Sequence, residues 1–185
     1  MKVNQDLTEF LKQSYRPKKI AVCTGWSSPF MWTHNAFNTM NLIRPEGIDI
    51  RFLMGKGRDP ARRHMWGVKR GLEWGATHIC FLGADQLHPL DILLKFVKHI
   101  ENGWPAVCAT VPTRGFVPIE GVDKPFVKLV WKWKKDKDGN IPKHNMTFDA
   151  LELASPKDGD LQEVAVIGSG AMMFDVNLLL SLIHI

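Results

Sequence analysis

An α/β fold with a mainly parallel sheet covered by helices on both faces follows from three features of the sequence. Short apolar runs alternate with stretches of helical periodicity. The runs are continuous rather than alternating, as expected of strands buried on both sides. Glycine, proline or an Asp-Pro pair marks most changes of element. A β-α-β-α-β order of this kind calls for parallel strands joined by crossover helices.

Lys18 and Lys19 lead into Ile20-Ala21-Val22-Cys23-Thr24, a first strand ending at Gly25. The following SSPFMWTHNAFNTMNLI predicts a helix from about Phe30 to Ile43. Ile48 to Met54 reads as a second strand, with Gly55-Lys56-Gly57 as its turn. Asp59 is a suitable N-cap with Pro60 at the first helical position. Ala61, Met65, Val68 and Leu72 then recur at helical spacing until Gly75. The third strand, Ile79-Cys80-Phe81-Leu82, lies within THICFLGADQLHP and ends at Gly83-Ala84. A helix from Pro89 buries Ile92, Leu93, Phe96, Val97 and Ile100 and stops at Gly103; Trp104 to Val111 returns as a fourth strand.

The pattern changes after Arg114. Val127, Leu129, Trp131 and Trp133 alternate with Lys128, Val130, Lys132 and Lys134, and KDKDGN supplies a hairpin turn before a second β-like stretch from about Met146 to Leu153. This predicts a small antiparallel insertion. Glu163 to Phe174 reads as a further strand interrupted by Gly168-Ser169-Gly170, and Val176 to Ile183 as the start of a helix. No repeat, low-complexity tract or linker marks a boundary, so residues 1–185 read as a single domain.

The apolar fraction of 45% is ordinary for a globular protein, and the formal net charge of +5 suits an anionic ligand. The three cysteines, Cys23, Cys80 and Cys108, sit in apolar runs without CxxC spacing. That argues against a disulfide framework or zinc site and for a reducing cytoplasm. Neither a signal peptide nor a membrane-spanning run is present in the sequence.

Asp85 is the foremost candidate for chemistry, because open α/β sheets hold ligands just past the carboxyl ends of their strands. One carboxylate there can hold Mg²⁺ or Mn²⁺ when substrate phosphates fill other positions, and His88 is a possible second ligand. The plainer reading makes Asp85 a turn or capping residue and His88 a surface histidine. Arg62 and Arg63, near a helix N-terminus, either assist a diphosphate or form a solvated face. Trp131 and Trp133 suit stacking on a ligand, but core packing with wet lysines explains their alternation more simply. Gly168 to Gly170 lack a GxGxxG or Walker context.

Four pieces in order, KIAVCTGW, GATHICFLGADQLHP, PAVCATVPTRG and EVAVIGSGAMMFD, resemble the GT-A nucleotide-sugar glycosyltransferases, closest to short bacterial and phage-type members. The resemblance spans about residues 18–180. It implies a GT-A fold and a nucleotide-diphospho-sugar donor, with a glycan, lipid or protein acceptor and no nucleic acid. Asp85 matches the last acid of the DxD motif, which holds Mn²⁺ or Mg²⁺ on the donor diphosphate. Thr24, Gly25 and Trp26 match the loop against the nucleotide base, and Gly83 and Ala84 the rest of the DxD turn. Arg62 matches a helix near the diphosphate, Arg114 a basic residue near the cleft, and Gly168, Ser169 and Gly170 the small-residue turn beside sugar and acceptor. The sequence departs from the family at Gly83, which replaces the first DxD acid. It also ends before the acidic motif that supplies a general base in inverting members. The final SLIHI is similar to translated adapter read-through in metagenomic assemblies, so a longer gene product is expected. No catalytic base is assigned among Asp123, Asp149, Glu152 and Glu163. A binder without turnover is the alternative. A sugar-nucleotide nucleotidyltransferase is disfavoured because TGWSSPF is not its phosphate loop.

Overall fold

The computed structural model describes residues 16–25, 33–55, 59–110, 130–135, 137, 151–153, 161–168 and 170–183. Their elements, in order, are β1 (Lys19–Gly25), α1 (Thr33–Met40), β2 (Asp49–Gly55), α2 (Pro60–Glu73), β3 (His78–Gly83), α3 (Ile92–Glu101), β4 (Ala106–Cys108), β5 (Val130–Trp133), β6 (Leu151–Leu153), β7 (Val166–Ile167), β8 (Ala171–Asp175) and α4 (Val176–Ile183). The chain divides into two compact units, Met1–Ala109 with Ser169–Ile185, and Thr110–Gly168.

The first unit is α/β, with a mostly parallel five-stranded sheet in the order β2-β1-β3-β8-β4. β1 pairs in parallel with β2 and β3, and β8 runs antiparallel to both β3 and β4. Both faces of the central strands are buried, which explains the unbroken apolar runs. Ala21, Cys23, Ile79 and Phe81 line one face in a cluster with Val176, joined by Val68, Leu72 and Leu180 from the helices. The alternate residues Ile20, Val22, Cys80 and Leu82 are buried on the other face. Burial pushes the Cys23 thiol up to about 12 and holds Cys80 well above its usual range, so both behave as small apolar side chains.

α2 lies unusually close to the sheet. A Cβ on Gly67 would stand 2.8 Å from Cys23 Sγ, and one on Gly71 would stand 3.0 Å from the Ala21 Cβ and 2.6 Å from Ile79 Cδ1. One turn apart, these glycines form the contact strip. The helix begins as the sequence predicts: the Asp59 carboxylate accepts from the Arg62 amide at 2.8 Å with Pro60 in the first turn. It ends before Gly75, which takes φ +78°.

Several boundaries differ from the sequence reading. α1 ends at Met40 rather than Ile43, whose amide donates to the Leu90 carbonyl at 2.8 Å instead of continuing the helix. α3 starts at Ile92 because Pro89 closes a turn, its carbonyl accepting from the Ile92 amide at 3.0 Å. β4 begins at Ala106 because Trp104 still donates to the His99 carbonyl at the end of α3. The run from Glu163 to Phe174 is two strands in different sheets: β7 pairs with β5, and β8 with β3 and β4.

The second unit carries an antiparallel sheet in the order β6-β5-β7, matching the expected insertion. Val130 is fully buried, whereas Trp131, Lys132 and Trp133 are all half-buried. The tryptophans are thus not sunk in a core, nor is Lys132 fully wet. Lys132 lies opposite Glu152 in the register and pairs with it at 3.1 Å. Residues 127–129 and 146–150, and most of the KDKDGN turn, lie outside the described residues.

Candidate functional site

The strand order reverses direction at β1. The chain steps from β1 to β2 on one side and places β3 on the other, so the ligand crevice of an open sheet falls at the carboxyl ends of β1 and β3. At that level Gly25 is in register with Gly55 on one side and Gly83 on the other, and Gly83 donates to the Gly170 carbonyl at 2.7 Å. Four neighbouring segments therefore present bare backbone in a row. The reasons differ from one glycine to the next. Gly55 admits α2, since a Cβ there would meet the Arg63 carbonyl at 2.9 Å, and Gly83 leaves room for the Asp85 and Gln86 side chains. Gly25 has no positive φ, and a Cβ there would come no nearer than 3.7 Å to the closest described atom outside its chain neighbours, on the His64 ring. Neither backbone conformation nor packing among the described residues demands a glycine there, whereas close approach of a ligand would.

Asp85 lies exposed just beyond β3, and its Oδ1 would be 3.1 Å from a Cβ on Gly83, so the carboxylate turns back over the strand end. The loop carrying it is fastened by α1. Asn35 Nδ2 donates to the Ala84 carbonyl. Asn38 bridges His88 twice, donating from Nδ2 to its carbonyl at 2.8 Å and accepting its amide on Oδ1 at 2.9 Å. The spacing i, i+3 puts both asparagines on one side of the helix.

His88 closes the loop from within. It is buried, and its Nε2 donates to the Gly83 carbonyl at 3.0 Å, which leaves Nδ1 as the lone-pair nitrogen. Burial lowers its pKa, partly opposed by that hydrogen bond. His88 thus braces the turn while keeping one nitrogen able to ligate.

On α2, the arginines are drawn toward the cap. Arg62 is exposed and pairs with Asp59 at 3.3 Å, and Arg63, buried, donates from Nε to the Asp59 carbonyl at 3.2 Å. The Asp59 carboxylate occupies the anion position of the helix N-terminus. His64 reaches the crevice instead, its ring 4.4 Å from that of Phe81. Burial and the neighbouring Arg63 charge lower its pKa, so it stands neutral near pH 7. His64, Asn35 and Asn38 escape the sequence reading. The asparagines carried one signal: two poor helix formers three residues apart invite a side-chain role.

Thr24 is buried at the end of β1, between Met54 and Leu82 in the register. Thr24, Gly25, Gly83, Ala84, Asp85, His88 and Gly170 all belong to the first unit at this strand end. Gly168 belongs to the second unit. Trp26, Arg114 and Ser169 lie outside the described residues, as do Asp123 and Asp149. Among the described residues no three His, Cys, Asp or Glu side chains gather as a metal cage, and no helix is long and apolar enough to cross a membrane. Neither protein-family models nor curated proteins give a match to this chain.

Proposed function

We propose that this chain is a GT-A-type glycosyltransferase domain that binds a nucleotide-diphospho-sugar at the carboxyl ends of β1 and β3 and transfers the sugar to an acceptor hydroxyl. The observation that carries this reading is the exposed Asp85 carboxylate folded back over Gly83, the register partner of Gly25, at the reversal of strand order. Backbone without side chains lets a ligand lie close, and the carboxylate supplies the single protein oxygen ligand that Mg²⁺ or Mn²⁺ takes beside a diphosphate. Asp85 would hold the cation, with His88 Nδ1 the nearest nitrogen candidate in sequence. The cation supplies charge neutralisation on the leaving diphosphate. In the transfer, an acceptor oxygen replaces the diphosphate oxygen on the anomeric carbon, the hydroxyl proton is lost, and nucleoside diphosphate departs. Gly83 in place of an acid favours one second reading, a binder of the same donor without turnover.

The test is a thermal-shift titration with UDP, GDP, CDP and dTDP, each with and without Mn²⁺, on the native chain and on Asp85→Asn. A nucleotide at about 100 times its dissociation constant adds roughly 2.7 kcal/mol. Metal-dependent stabilisation by one nucleotide, lost in Asp85→Asn, is expected. No stabilisation of a folded sample by any of the four overturns the donor site. Release of nucleoside diphosphate from the matching sugar nucleotide then separates turnover from binding.

A further inference from the structure

The second unit contains a groove of about 770 Å³ lined by Lys132, Trp133, Lys134, Glu152, Gln162 and Glu163, with Lys135, Val164 and Ala165 completing it. Its size falls within the roughly 300–1,000 Å³ of small-molecule sites. The lining combines one aromatic wall with groups of every hydrogen-bonding type. Lysine donates, glutamate accepts, and the Gln162 amide does both. Trp133 is half-buried at the end of β5 and lines the groove.

We infer that this groove is a saccharide-binding site, with a pyranose ring laid on Trp133 and its hydroxyls met by Gln162, Glu152 and Glu163. A pyranose face carries several weakly positive C–H bonds that pack on the electron-rich indole, while its rim of hydroxyls needs both donors and acceptors. The charges are mixed, three lysines with two glutamates, which suits a neutral polyhydroxyl ligand better than an all-basic track would. Lys132 is paired with Glu152 at 3.1 Å, and Glu163 lines the same groove as Lys134 and Lys135, so acceptors are interleaved with the lysines rather than left out of a basic track. Trp131, on the same strand, is not among the lining residues. The inference rests on the second unit alone and stands independently of the donor reading.

The experiment is a tryptophan-fluorescence titration of the whole chain with maltose, cellobiose, lactose and N,N′-diacetylchitobiose up to 50 mM, with a dT₁₀ oligonucleotide as a further arm. The variants are Trp133→Ala, Trp133→Phe, Trp131→Phe and Asp85→Asn, each checked for an unchanged circular-dichroism spectrum. Saturable binding of at least one disaccharide is expected, weakened tenfold or more by Trp133→Ala, largely kept in Trp133→Phe and Trp131→Phe, and untouched in Asp85→Asn. Should Trp133→Ala fail to fold, Gln162→Ala is the replacement, with the same loss expected. No saturable binding of any disaccharide, binding indifferent to these changes at Trp133 and Gln162, or salt-dependent capture of dT₁₀ alone would each overturn the assignment. Loss of nucleotide binding in Asp85→Asn with saccharide binding intact separates this site from the donor site.

Discussion

Replacing Asn38 by alanine removes both hydrogen bonds by which its side chain ties α1 to the His88 backbone. Both hydrogen bonds end on a residue that is 7% exposed, so neither the His88 amide nor its carbonyl can turn freely to water. Each bond is worth about 1 kcal/mol, and leaving a buried group unpaired raises the loss to roughly 1–3 kcal/mol. A net destabilisation of about 2 kcal/mol is expected, which for a chain of this size lowers Tm by roughly 4–8 °C. Asn41 gives the matched control: its amide only bonds back to the Phe37 carbonyl of its own helix and is exposed, so Asn41→Ala should fall within about 0.5 kcal/mol of the parent. Thermal unfolding reads the total, and hydrogen exchange at the His88 amide reads the place. The His88 amide should exchange faster in Asn38→Ala even well below Tm, because the loop opens before the sheet does. The same variant should weaken nucleotide binding, since it loosens the turn that presents Asp85. Equal stability of the two variants, with His88 exchange unchanged, would refute the bridge and with it the account of how the loop is held.

Gly71→Ala should destabilise by up to about 2 kcal/mol although alanine favours helix by about 1, because overpacking of roughly 1–3 against the rigid Ala21 Cβ outweighs propensity. A more stable Gly71→Ala protein in denaturant unfolding would contradict the close approach of α2. Burial lowers the His78 pKa from 6.5 to about 4, with Asp175 opposing the shift. The unfolded chain then binds more protons in that window, so stability is full above about pH 6.5 and declines as pH falls toward 4. His78→Gln should flatten this part of the acid limb measured by urea unfolding, leaving the smaller contributions of His64 and His88; an unchanged limb would show that His78 is not the group responsible.

Sequence periodicity located the elements of the first unit because each depends on local rules. Continuous apolar runs become strands because both faces are covered, and Asp59-Pro60 starts α2 because the cap is a side-chain-to-backbone bond within three residues. What stayed hidden depends on contacts distant in sequence. The change of sheet between β7 and β8 is invisible in an apolar run broken by Gly168-Ser169-Gly170, since either partner strand satisfies the same pattern. Likewise Asn38 meets His88 fifty positions away, a partner that no spacing rule within a helix points to. His64 reads in sequence as one more polar residue after two arginines. Only the nearness of α2 to β1, set by Gly67 and Gly71, turns it toward Phe81 and the end of β1.

The glycines at the strand ends sharpen the case for a ligand more than the charged residues do. Aspartate past a strand is common for turn chemistry alone, and the Asp59, Arg62 and Arg63 group is satisfied within itself. A glycine is informative only after its local uses are subtracted. Gly55 is accounted for by α2, Gly83 by the side chains folding back over it, and Gly75 and Gly103 by positive φ. Gly25 survives that subtraction, and it lies between β2 and β3 where the strand order reverses. Gly25→Ala therefore separates the roles: with 3.7 Å to the nearest described atom, it should fold with a stability near that of the parent, yet obstruct a ligand laid on the strand end. A substitution neutral for folding and harmful for nucleotide binding belongs to a surface shaped for a ligand rather than for the core.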